Sequence, residues 1–127
     1  MKKVACLVAL TAVLPVSAWA ACTYPPKPAK APSGTRATHA EMLAAMKVQN
    51  QYQADVNGYL KCLKEQYDAD VAKIDPSKSD KDKDKEKKKI TDLWETKNDS
   101  AVDQAQQVAD AFNEQLRICK ARPDGCK

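Results

Sequence analysis

Along most of this chain apolar and polar residues alternate with the period of a helix. Apolar or small residues recur as Ala45, Val48, Tyr52, Val56, Tyr59, Leu63, Tyr67, Val71 and Ile74, in steps of three and four. That spacing averages close to 3.6 residues per turn and predicts one amphipathic helix without supercoil. Thr38-x-x-Glu41 supplies a capping box at its start, and Asp75-Pro76 breaks it at the far end. A second stripe repeats the steps through Ile90, Trp94, Lys97, Ala101, Ala105, Val108, Phe112, Leu116 and Cys119. Arg122-Pro123-Asp124-Gly125 then turns the chain. The predicted helices span about 38–74 and 86–120. Between them, 75–89 is an almost wholly polar connection with scope for helix only in its second half.

Two stripes of matched length joined by one polar link predict an all-α fold, an antiparallel two-helix hairpin. Pairing Ile74 with Ile90 would set Tyr67 opposite Lys97, Leu63 opposite Ala101, Val56 opposite Val108 and Tyr52 opposite Phe112. Ahead of the hairpin, residues 21–36 hold Pro25, Pro26, Pro28, Pro32 and Gly34. This stretch cannot be helical and is expected to run extended, as a strap across the hairpin rather than as an SH3-type ligand. Met42, Leu43, Met46, Leu60, Val102 and Ile118 fall beside the main stripes. They are candidates for cover by the strap or for the contact face of a protein partner or homodimer.

The first 20 residues read as a secretory signal. Lys2 and Lys3 precede an apolar run from Val4 to Val16, and Ala18-Trp19-Ala20 forms a small-x-small cleavage site. The run is too short for a membrane span, so the expected location is the periplasm or the medium. Ala20-Ala21-Cys22 also resembles the end of a lipoprotein signal, but Trp19 stands where such signals carry Leu. A lipid anchor at Cys22 is therefore the weaker reading.

Cys6 would leave with the signal, and the four remaining cysteines, Cys22, Cys62, Cys119 and Cys126, point to two disulfides. No C-x-x-C pair or neighbouring His favours a metal. In the predicted register Cys119 lies level with Ala45, roughly 25 Å along the helix from Cys62, far beyond the ~7 Å limit for a bridge. Cys62–Cys126 would demand a fully stretched tail. The pairing left is Cys22–Cys62 with Cys119–Cys126, and the strap is long enough to fold back to Cys62. Gly58, one turn earlier, is expected to clear space for its backbone.

Of the 127 residues, 21 are Lys or Arg and 17 Asp or Glu, a net charge of +4. Removing Lys2 and Lys3 leaves +2, too little for a dedicated nucleic-acid binder. Asp80-x-Asp82-x-Asp84 imitates a calcium loop, but Lys85 replaces the required glycine and Thr91 the bidentate glutamate. Lys87-Lys88-Lys89 is a cationic run diluted by alternating acids, better read as a solvated face. His39, Met42 and Met46 share a helical face and have the softness for Cu(I), though methionines there are commoner as packing. His39 is the sole imidazole, without a placed Asp or Ser, and paired cysteines are no nucleophiles. No cofactor, metal or catalytic site is expected.

Cys22-x-x-Pro25-Pro26, Gly34-x-x-Ala37-Thr38-x-x-Glu41-Met42-x-x-Ala45 and Tyr59-Leu60-x-Cys62-Leu63 resemble a group of small exported proteobacterial proteins of unknown function. That resemblance covers residues 22–63 and implies a Cys22–Cys62 pair. Tyr52-x-x-Asp55-x-Asn57-x-Tyr59 is similar to LprI-like lysozyme inhibitors, whose cysteine spacing differs. The expectation is a non-enzymatic structural or protein-binding module of the bacterial envelope; the alternative is a lysozyme-inhibitor-like or ligand-binding stress protein.

Overall fold

The computed structural model describes residues 21–127; the predicted signal segment and Cys6 lie outside them. Helix α1 spans His39–Ala72 and α2 spans Asp80–Lys120, and they pack side by side as an antiparallel hairpin. The capping box forms as the sequence requires. Glu41 N–H donates to Thr38 Oγ1, and the Thr38 N–H donates to Glu41 Oε2 at 2.7 Å.

The connection is shorter than the polarity of 75–89 predicts. It covers only residues 73–79, and the Asp- and Lys-rich run is the start of α2. Asp75 Oδ1 accepts from the Ser77 N–H and hydroxyl, turning the chain at Pro76. Ser79 Oγ then caps α2 by accepting from Asp82 N–H. Asp80 and Asp82 lie in the first turn, where carboxylates offset the helix dipole. Ion pairs Lys83–Asp80, Lys78–Glu86 and Lys88–Asp92 run along the exposed face. A polar helix without an apolar stripe gains its support from such caps and pairs.

The shorter turn also changes the register. Gln53 Nε2 donates to Ala105 O at 3.3 Å, and the Tyr67 ring packs at a tilt against Trp94 with ring centroids 5.3 Å apart. The α2 partner therefore comes three to six residues earlier than pairing Ile74 with Ile90 predicts. Tyr52 and Val56 form one core cluster with Ala105, whereas Phe112 belongs to another, with Ala37, Met42, Cys119 and Cys126. Val48, on the predicted stripe, is 53% exposed.

With this register the end of α2 lies level with the start of α1, and the strap packs against both helices. Cys22 is bonded to Cys62 with Cα atoms 5.8 Å apart, and Cys119 to Cys126 at 4.9 Å. The Tyr24 ring meets Tyr59 edge-on at 5.2 Å, and its hydroxyl lies 2.6 Å from that of Tyr52. Further on, Gly34 N–H donates to Gln115 Oε1 at 2.9 Å. A Cβ at Gly34 would collide with the Gln115 carbonyl and lie 2.8 Å from Ile118 Cβ. Gly58 has open space beside it instead, so the glycine that admits the strap backbone is Gly34, against α2.

The C-terminal turn locks this end. Arg122 Nη1 donates to Ala37 O at 2.6 Å and to Gly34 O at 3.3 Å, while its other nitrogens hold the Asp124 carboxylate. Among the described residues no helix is long and apolar enough to cross a membrane.

Candidate functional site

The strap meets the hairpin at the Cys22–Cys62 bridge, around Tyr24, at Ala31 and around Gly34. The space left is a groove of about 490 Å³ with three walls, a size within the range of small-molecule sites. Residues 27–32 of the strap form one wall, α1 contributes Ala44, Ala45, Val48 and Gln49, and α2 contributes Gln107, Val108, Ala111 and Phe112. The apolar wall residues of α1 and α2 are mostly small or of medium size, Ala44, Ala45, Val48, Val108 and Ala111, which leaves this space unfilled. Pro28 and Pro32 keep the strap extended and unable to sag into the helices.

The lining is mainly apolar, with a few polar groups. Gln49 is 8% exposed, and its Nε2 has no hydrogen-bond partner among the described residues. Burying an amide donor unpaired costs roughly 1–3 kcal/mol, and Leu at this position would avoid that cost. Lys27 and Lys30 are exposed on the strap wall. Glu41 also borders the groove, but its carboxylate serves the capping box. The bonds from Thr38, backbone first and hydroxyl second, hold its pKa below the ordinary glutamate value.

Two lesser features lie toward the loop. Trp94 borders a 60 Å³ pocket with Leu63, Tyr67 and Lys97, and its Nε1 is buried without a partner among the described residues. Tyr24, Tyr59, Thr96, Lys97 and Gln104 line a shallower cleft of about 300 Å³.

The candidate partner face does not hold together as one surface. Met42 is core, 2% exposed. Ile118 sits against Gly34, and Leu60 packs on the Tyr52–Val56–Ala105 cluster. Leu43, Met46 and Val102 remain exposed. Met42 is thus withdrawn from the surface that a His39–Met42–Met46 copper site would need. The four cysteines are all engaged in the two disulfides.

Sequence reasoning missed the groove residues Lys27, Lys30, Gln49 and Gln107. One signal was available. Gln49 precedes Tyr52 by three residues, Val56 by seven and Leu63 by fourteen, so it is a polar residue on the buried stripe. The volume depends on the gap between strap and helices, which no local spacing records.

No protein-family model matches this chain, and neither a curated protein nor a solved structure matches it.

Proposed function

We propose that this chain is a non-enzymatic exported binding module of the bacterial cell envelope, with the groove between strap and hairpin as its recognition surface. The carrying observation is the three-walled, mainly apolar groove with Lys27, Lys30 and Gln49 on its lining. Ligand sites have this make-up, apolar walls with a few placed polar groups. Two disulfides in a small chain favour an oxidising compartment, consistent with the signal-like first 20 residues. The described residues offer no thiolate, and their single imidazole, His39, is exposed at the start of α1, away from the groove lining.

The test is an amide NMR titration of the oxidised protein with concentrated periplasmic extract. Shifts concentrated at residues 27–32, 44–49 and 107–112 support the proposal. An unchanged spectrum, or shifts confined to the loop end, overturns it.

A further inference from the structure

The chemistry of the groove narrows what it would hold, and this step rests on the binding reading above. Its walls are alanine, proline and valine on three sides, closed at one place by Phe112. No aromatic pair faces across it to sandwich a ring; the tyrosines all lie elsewhere, around Tyr24 and toward the loop. Small aliphatic walls suit a slender aliphatic guest better than a flat heterocycle. The charge on the lining has a cationic excess. Lys27 and Lys30 have no carboxylate partner among the described residues, and the Glu41 carboxylate, held by Thr38, offsets one of them. Gln49 is on the lining, but its amide nitrogen is buried behind it. Ammonium groups call for acceptor oxygens.

We propose that the groove binds a single aliphatic chain ending in an anionic oxygen head group. The chain lies along the Ala44–Val48 and Val108–Phe112 walls. The head group is met by Lys27 and Lys30. A free acyl carboxylate and a single-chain glycerophospholipid share this chemistry.

Isothermal titration of the exported, oxidised protein tests the assignment, using decanoate, dodecanoate, dodecyl phosphate, dodecyltrimethylammonium and a dodecanoyl lysophosphatidylglycerol below their micelle concentrations. Dodecanoate and dodecyl phosphate are expected to bind one to one. Each methylene buried should tighten binding about fourfold, which places decanoate roughly fifteenfold weaker. The cationic amphiphile should bind at least tenfold more weakly than dodecanoate. Lys27→Glu with Lys30→Glu should erase that preference. Ala44→Trp, at an exposed position on the α1 wall, should abolish chain-length dependence while circular dichroism remains that of the parent. Tighter binding of dodecanoate or of the lysolipid assigns the source.

Equal affinity for anionic and cationic heads, or binding untouched by Ala44→Trp, overturns the proposal. If no amphiphile binds while extract still shifts the groove amides, the ligand class falls and the binding module stands. If the extract also leaves those amides unmoved, both fall.

Discussion

Tyr24 carries the strap's inner end on one ring and one hydroxyl. Its hydroxyl approaches Tyr52, which is 3% exposed, and donates to Ala101 O at 3.4 Å. Burial, then the hydrogen bond with Tyr52, raises the Tyr24 pKa well above the ordinary 10.0. A phenol that holds its proton more tightly when folded contributes stability that is complete below the unfolded pKa. That stability drains away as pH rises from about 10 toward the folded pKa. Tyr24→Phe should therefore be less stable than the parent at pH 8, by about 1–3 kcal/mol for the partner left to Tyr52. The gap should narrow above pH 10. Urea midpoints at the two pH values check this, and a constant gap would contradict it.

Both helices were legible as stripes, because a core face one residue deep leaves a period that survives without context. Where α2 begins was not. Asp75 to Lys89 has no stripe to read, and its helicity depends on the Ser79 cap and on ion pairs such as Lys83–Asp80, each worth only tenths to about one kcal/mol. Once the connection shrinks to 73–79, the register must move, and Phe112 falls in with Met42 rather than Tyr52. The strap's route was half legible: chain length allowed Cys22 to reach Cys62, but which glycine met the helices required the three-dimensional register. Ser79→Ala should remove about 1 kcal/mol from the first turn of α2. Amide exchange at residues 82–85 should then speed up about fivefold, with the amides of 101–112 unchanged. If that run were an unstructured link, the substitution would leave its exchange as fast as before.

At the scale of the whole molecule, a two-helix hairpin has a thin core, and the staples matter in proportion. Cys22 and Cys62 are 40 residues apart in sequence and Cys119 and Cys126 only seven. Loop-closure entropy assigns the first bridge about 4 kcal/mol and the second about 2.5. The paired change Cys22→Ser and Cys62→Ser should therefore lower unfolding stability more than Cys119→Ser with Cys126→Ser, as read from urea midpoints. The reverse order would mean that the Cys119–Cys126 loop, which packs with Ala37 and Phe112, matters more through its burial than through chain entropy.

The strap is tied at both ends, by covalent sulfur to the middle of α1 and by its own backbone to that helix's start. Residues 22–62 thus make a closed covalent ring, and the groove lies under one side of it like a belt loop. Such a ring can bow outward, but it cannot swing open while the sulfur bond holds. Because the strap meets the hairpin at Tyr24 and again at Gly34, a slim guest would have to enter from the side that the three walls leave open, and the ring limits how far that mouth can widen.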